Sequence, residues 1–199
     1  AALERARRYF DLACRYAARD WPALIITCGL AGSGKSTLAG ALGLPVVSSD
    51  VVRKELAGLP PEQSARAPWQ RGLYAPSVTR RTYAEMLSRA EALLREGRWV
   101  VLDATFLRRW QRQAARRLAQ RQGVRFLCIE LQADDELVRR RLQGRESTGG
   151  PSDADWQIYL RQKEALEPPD ELPPDERLAL SASLSPREQV AAVRRALGL

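Results

Sequence analysis

Histidine is absent from the 199 residues. The side chain that most often accepts a proton near neutral pH, and most often ligates a transition metal, is therefore unavailable, so proton-accepting chemistry falls to a carboxylate. Cysteine is scarce: Cys14, Cys28 and Cys128 make up the full complement. They lack the paired spacing of a zinc site, and Cys28 and Cys128 fall inside apolar runs, as reduced core residues of a cytoplasmic protein do. No apolar stretch approaches the roughly 18 residues that a membrane helix needs, so no membrane partner is expected. Methionine occurs once, at Met86, and the expectation is a processed protein or a piece of a longer one. The first residues are Arg-rich, yet they have no continuous apolar core for a secretory signal, and Glu4, Asp11 and Asp20 are wrong for a mitochondrial presequence.

What is present describes an ordinary globular chain, 45% hydrophobic and 28% charged, long enough for one α/β domain with an appendage. The net charge of +8 favours polyanionic partners, nucleotides or nucleic acid among them. Arginine is spread along the chain, however, so charge alone locates no site.

The strongest signal is Gly29-Leu30-Ala31-Gly32-Ser33-Gly34-Lys35-Ser36-Thr37, directly after the apolar run Leu24–Cys28. It fits G-x-x-x-x-G-K-[ST] in the strand-turn-helix setting that a P-loop requires. Glycine permits positive φ and leaves no side chain in the way, so successive N–H groups can turn in around phosphates at the positive end of the next helix. In this pattern Lys35 reaches the β- and γ-phosphates, and the Ser36 hydroxyl is placed to ligate Mg²⁺.

Periodicity predicts an amphipathic helix over 3–19, then alternating strands and helices. The strands are Leu24–Cys28, Val46–Ser48, Trp99–Asp103, Val124–Leu131 and Leu178–Leu180. The helices are Lys35–Leu42, a segment from Ser49 to Leu56 with Ser49 or Asp50 as cap, a long helix through Tyr83 and Leu94, Trp110–Gln122, Asp134–Gly144, Asp153–Leu166 and Pro186–Leu197. The stretch from Ala57 to Pro76 reads as a long connection. Glu167–Glu176, with four prolines and five carboxylates, reads as an exposed loop. Such alternation implies a parallel sheet covered on both faces, with ligand at the strands' carboxyl ends.

Three clusters could carry chemistry. Asp103 ends an apolar strand, the arrangement of a carboxylate that holds Mg²⁺ directly or through water. Asp50 ends the second strand, with Arg53 three residues on along the same helical face: a base for an acceptor hydroxyl beside a cation for an anionic substrate. Arg139, Arg140, Arg141 and Arg145 form a basic cluster with Gly144 and Gly149-Gly150 as hinges, and Arg141 and Arg145, four apart, suit a closing lid that offsets transition-state charge. Trp69, Trp110 and Trp156 could stack on a base or sugar, although such residues more often anchor amphipathic helices.

Together, G-L-A-G-S-G-K-S-T, S-S-D-V-V-R, V-V-L-D-A-T-F and R-R-R-L-Q-G-R resemble the P-loop kinases related to polynucleotide 5′-kinase and the zeta-toxin kinases. The resemblance is strongest to the kinase domain fused behind an aminoglycoside-phosphotransferase-like domain in some bacterial proteins, and spans about residues 22–197. It implies an α/β P-loop NTPase with a nucleoside-monophosphate-kinase-like five-stranded parallel sheet, helices on both faces and a helical lid at about 139–155. Residues 1–21 would then end an upstream domain and 22–199 form the kinase. In polynucleotide kinases the matching Asp activates the 5′-hydroxyl, the matching Arg meets a substrate phosphate, and lid residues matching Arg141 and Arg145 meet ATP.

The resulting expectation is a Mg²⁺-dependent ATP kinase. Its catalytic set is Lys35, Asp50, Arg141 and Arg145; ATP is held by Gly29, Ala31, Gly32, Ser33, Gly34, Lys35, Ser36, Thr37 and both lid arginines; Asp50 and Arg53 take the acceptor; Ser36 and Asp103 take the metal. No guanine-reading N-K-x-D follows, which favours ATP over GTP. The acceptor is a hydroxyl of a small molecule or nucleic acid. The competing readings are a polynucleotide 5′-hydroxyl kinase and an ATP-hydrolysing regulatory module acting through a partner domain.

Overall fold

The computed structural model describes residues 22–60, 72–148 and 156–198 and positions 3, 5, 6 and 9, with the side chains of 145–148 left out. The expected helix over 3–19, Cys14, Trp69 and the lid turn at 149–155 lie wholly or largely outside the described residues.

The first strand, β1 (Ala23–Cys28), has all six residues buried, because it is the middle of a sheet covered on both faces. Leu24, Ile26 and Cys28 point to one layer and Ala23 and Ile25 to the other, as the two-residue period of a strand dictates. The glycine loop leads to α1 (Lys35–Ala41), then β2 (Val46–Ser48), α2 (Ser49–Leu56), a 3₁₀ turn (Gly72–Tyr74) and the long α3 (Pro76–Arg95). After these come β3 (Val100–Asp103), α4 (Arg109–Gln122), β4 (Arg125–Gln132), α5 (Asp135–Thr148), α6 (Trp156–Ala165), a 3₁₀ turn (Pro174–Glu176), β5 (Arg177–Ser181) and α7 (Pro186–Ala196).

The five strands are all parallel, in the order β2-β3-β1-β4-β5. Helices α3 and α4 cover one face through Tyr83, Met86, Ala90, Ala115 and Leu118; α1 and α7 cover the other through Leu38, Leu42, Val193 and Leu197. A third apolar cluster, Val138, Leu142 and Tyr159, joins α5 to α6. Because every strand runs the same way, the loops after β1, β2 and β3 open on one edge of the sheet.

The long helix through Tyr83 and Leu94 is present and begins at Pro76, whose fixed φ and missing N–H suit a first helical position. Three local expectations need correction. Ser48, not Ser49 or Asp50, occupies the cap of α2, and it makes no side-chain cap bond; Asp50 is drawn instead to Arg53. Gly144 is no hinge, since α5 runs through it to Thr148.

The third correction concerns the proline- and acid-rich stretch 167–176, which is a clasp on α4. Leu172 is buried, and Glu167 accepts from the Arg109 N–H at 2.6 Å. Glu171 takes both Nε and Nη2 of Arg112, at 2.6 and 2.9 Å. Arg112 is completely buried and spends its remaining donors on the carbonyls of Phe106 (2.9 Å) and Pro168 (3.0 Å). Burial alone would raise the Glu171 pKa, but Arg112 outweighs it and holds the carboxyl below its ordinary range.

Removing one partner of a buried pair strands the other charge, so Glu171→Ala should cost about 3 to 5 kcal/mol. Glu96→Ala, which breaks an exposed pair with Arg98, should cost under about 1 kcal/mol. Urea midpoints for the two variants decide this, and equal midpoints would show that the clasp carries no weight. Glu171 has a lowered native pKa, so its contribution is present above the ordinary carboxylate range and disappears as pH falls through the native value.

Candidate active site

Chain reversal at the end of β1 sets the glycine loop. Gly29 takes φ of 136°, and a Cβ there would sit 2.6 Å from the Leu131 carbonyl oxygen, so no other residue fits this close approach of two backbones. Its N–H donates to the Thr105 carbonyl at 3.0 Å, which ties the loop to the segment after β3. The loop curls around Lys35, whose Nζ donates to the Leu30 carbonyl at 2.6 Å and lies 3.4 Å from the Ser33 hydroxyl. Gly34 precedes α1 with φ of 99° and no side-chain cap, which leaves that helix end to other acceptors.

The loop is also held from outside. Arg141 of α5 donates to the carbonyls of Ser33 (3.1 Å), Gly32 (3.4 Å) and Ala182 (2.9 Å). Gln162 of α6 accepts from the Ala31 N–H at 2.8 Å.

These elements wall a cavity of about 290 Å³. Ala31, Gly32, Gly34, Lys35 and Ser36 line it from the loop, Ser49, Asp50 and Arg53 from the end of β2 and from α2, and Asp103, Ala104 and Thr105 from the end of β3. Three strand ends thus bring together Lys35, Ser36, Asp50, Arg53 and Asp103, as the sequence spacing predicts. Gly29, Ser33 and Thr37 belong to the same loop and helix start but do not line the cavity. Neither does Arg141, whose guanidinium is spent on loop carbonyls. Arg145 lies on α5, and its side chain is outside the described residues.

Asp50 and Arg53 are joined at 3.2 Å. The Asp50 carboxylate opens to the cavity on one side and is walled by protein elsewhere. That desolvation raises its pKa, Arg53 works against the rise, and the neighbouring Asp103 carboxylate adds to it. Arg53 is buried, with its guanidinium 4.7 Å from the centre of the Tyr74 ring. Its Nε has no hydrogen-bond partner among the described residues. Asp103 is buried beside β2, and its Oδ1 lies 3.4 Å from the Thr27 hydroxyl. Ser36 and Asp103 are the hard oxygen donors that this arrangement offers a divalent cation; no group of three or more His, Cys, Asp or Glu that could hold a metal occurs among the described residues.

The far half of the cavity is a unit that no motif marks: Tyr74 from the 3₁₀ turn, Pro76, Thr79, Arg80 and Tyr83 from the first half of α3, and Leu107, Arg108 and Trp110 around the start of α4. Trp110 packs edge-on to Tyr83, with ring centres 5.6 Å apart. Burial pushes the Tyr83 phenol up to about 12, so it stays protonated while its oxygen accepts from the Phe106 N–H at 3.2 Å. Trp156 instead stacks on Tyr159 and lies under Arg139, anchoring α6 to α5.

Residues 24–169 match the AAA_33 family, described as an AAA domain. The chain belongs to this family. It is 31% identical over 157 residues to uncharacterized proteins of Mycobacterium tuberculosis (strain ATCC 25618 / H37Rv) and Mycobacterium bovis (strain ATCC BAA-935 / AF2122/97); the matched part is 77% of this chain but 31% of each relative. The chain thus spans about a third of the length of the curated relatives it matches.

Among solved structures it resembles a gluconokinase from Sinorhizobium meliloti 1021 (TM-score 0.62, 21% identity, 89% of this chain and 93% of that one). It also resembles the Mycobacterium tuberculosis APS kinase CysC in complex with AMPPNP and APS (0.61, 20%, 90% and 99%), and Chaetomium thermophilum Kti12 in complex with ADP-AlF3 (0.60, 17%, 87% and 98%). At these identities the likeness establishes the P-loop kinase fold of this AAA_33 domain. No helix among its described residues is long and apolar enough to cross a membrane.

The loop geometry makes opposite predictions for two glycines. Gly29→Ala meets both a positive φ and the Leu131 carbonyl, and should destabilise by about 1 to 3 kcal/mol. Gly40→Ala, within α1 and with nothing inside 4 Å of the new methyl, should stabilise by up to about 1 kcal/mol. Paired denaturation curves test the signs, and a neutral Gly29→Ala would mean that the loop tolerates a different path.

Proposed function

We propose that this AAA_33 domain is a Mg²⁺-dependent ATP phosphotransferase that moves the γ-phosphate to a hydroxyl of an acceptor carrying negative charge. The observation that carries this reading is the meeting of Lys35, Asp50 and Arg53 on one cavity at the strand ends. The P-loop amides and Lys35 suit the phosphates of ATP, and the acceptor takes the half of the cavity bounded by α3 and α4. Ser36 and Asp103 would hold Mg²⁺, a cation that keeps several waters and needs one or two protein oxygens; when bound it neutralises charge on the β- and γ-phosphates.

Asp50 is the general base. With histidine absent, it is the carboxylate beside the acceptor half whose pKa is raised toward the working range. Arg53 lines the cavity and supplies a cation for an anionic acceptor, and Arg80, which makes no ion pair among the described residues, lines it as well. Arg141 acts on ATP through the loop carbonyls it holds. On the same reading, an aminoglycoside-phosphotransferase-like domain stands ahead of residue 22, and the acceptor is either a small molecule or a nucleic acid end.

Asp50→Asn should bind ATP nearly as wild type does, yet transfer phosphate at least about a hundredfold more slowly. A base with a raised pKa is unprotonated only above that value, so wild-type turnover should climb as pH rises through a midpoint above the ordinary aspartate range, and the variant should lack this limb. Lys35→Ala should abolish most transfer by removing the charge across the β- and γ-phosphates. The decisive assay follows labelled phosphate from ATP to 5′-hydroxyl oligonucleotides, nucleosides, sugars and aminoglycosides. Transfer confined to oligonucleotides would select the polynucleotide kinase reading, and hydrolysis indifferent to every acceptor would overturn phosphotransfer in favour of a regulatory ATPase.

A further inference from the structure

Gln162 is buried on α6, 7% exposed, and its Oε1 accepts from the Ala31 N–H at 2.8 Å. Only the oxygen of a carboxamide can accept from an N–H, so this one bond fixes which way the amide faces. Its Nε2, with two N–H donors, is turned away from the loop. That nitrogen makes no hydrogen bond among the described residues, nor is it one of the sealed polar atoms lacking a partner. Gln162 lines the cavity that holds Lys35, Asp50 and Asp103, so the free donors open into it.

The helix that carries Gln162 cannot rotate freely. Ile158, one turn earlier on the same face, also lines the cavity. The neighbouring stripe is pinned to α5, where Tyr159 Oη and Lys163 Nζ each donate to Asp135 Oδ1 at 2.7 Å. The donor pair is therefore preorganised, which is what makes a hydrogen bond to developing charge effective.

We propose that Gln162 is a catalytic residue: its Nε2 donates to an oxygen of the phosphoryl group in transfer. The inference rests on the phosphotransfer reading above. In that step the acceptor oxygen forms its bond to the γ-phosphorus while the bond from phosphorus to the β–γ bridging oxygen breaks; the electron pair leaves with ADP, and the hydroxyl proton passes to Asp50. Charge is spread over the phosphoryl oxygens at that moment. Lys35 meets it from the loop and Gln162 from α6.

The test compares the affinity of the full chain for Mg²⁺·ADP and for Mg²⁺·ADP with aluminium fluoride, a mimic of the phosphoryl group in transfer, by calorimetry. Gln162→Met removes donor and acceptor at similar size, and Gln162→Glu keeps an acceptor for Ala31 but no donor. In both, the ratio of the two affinities should fall about a hundredfold, the span expected for one lost donor, while damage to the loop alone would lower both affinities and leave the ratio unchanged. An unchanged ratio in either folded variant, with melting curves as the check, overturns the proposal. Wild-type protein that binds neither ligand would instead overturn the ATP reading on which it stands.

Discussion

The site depends on a constraint that lies outside it: β1 is buried on every side, so the chain can leave the sheet only through a turn compressed between two neighbours. β4 stands on one flank and β3 on the other. At the point of exit the Leu131 carbonyl of β4 occupies the space of a Cβ at Gly29, and the Thr105 carbonyl beyond β3 accepts the Gly29 N–H. The concavity of the glycine loop is thus a by-product of packing three parallel strands. Any change in the register of β3 or β4 against β1 would move the loop, because both of its anchors are carbonyls of those flanking chains.

The segment after β3 is the second place where fold energy is invested in the cavity. Phe106, with φ of 45°, is the one residue other than glycine with positive φ among those described, a conformation that costs a bulky side chain of order 1 to 3 kcal/mol. It persists because its peptide groups are captured on both sides: the N–H by the Tyr83 hydroxyl, the carbonyl by the buried Arg112. Arg112 in turn is neutralised by Glu171, sixty residues downstream in round figures, and the result is that Thr105 and Leu107 are presented to the cavity on either side of the strained residue. The acid-rich clasp is therefore part of the wall on which an acceptor would lie, at one remove.

Much of this could be read from the chain alone. The boundaries of β2 and α2 follow from Pro45, which ends the preceding turn, and from the change at Ser48-Ser49 from an apolar run to polar residues with helical spacing. The glycine loop, Asp50 with Arg53, and Asp103 are legible because each combines a residue type with a position at the end of an apolar run, and parallel strands gather such ends at one edge. What could not be read shares a different cause. Gln162 meets Ala31 across 131 residues of chain, and nothing local marks a glutamine as the partner of a distant amide beyond its spacing of four from Ile158. Thr79 and Arg80 carry no local motif: they stand in the first turns of a long helix, and only the packing of that helix beside β2 and β3 turns them to the cavity. Four prolines and five carboxylates describe an exposed loop unless a buried cation awaits them, and nothing local marks Arg112 as that cation.

The same logic bears on how Asp50 and Arg53 work together. At 3.2 Å a full charge pair would hold the carboxylate in its ionised, weakly basic form. Desolvation and the neighbouring Asp103 push the other way, and the balance leaves the Asp50 pKa raised. Arg53 is itself divided, with Nη1 on Asp50, its plane near the Tyr74 ring and Nε unspent. On the phosphotransfer reading proposed above, an anion in the cavity that engaged the Arg53 guanidinium would compete with Asp50 for it, weaken the pair and raise the carboxylate's basicity further. With Asp50 as the proposed base, binding of a charged acceptor would therefore improve the group proposed to deprotonate it, whereas a water molecule, which brings no anion to Arg53, would meet a poorer base. If the proposed phosphotransfer holds, this arrangement would favour transfer over hydrolysis without a separate device to exclude water.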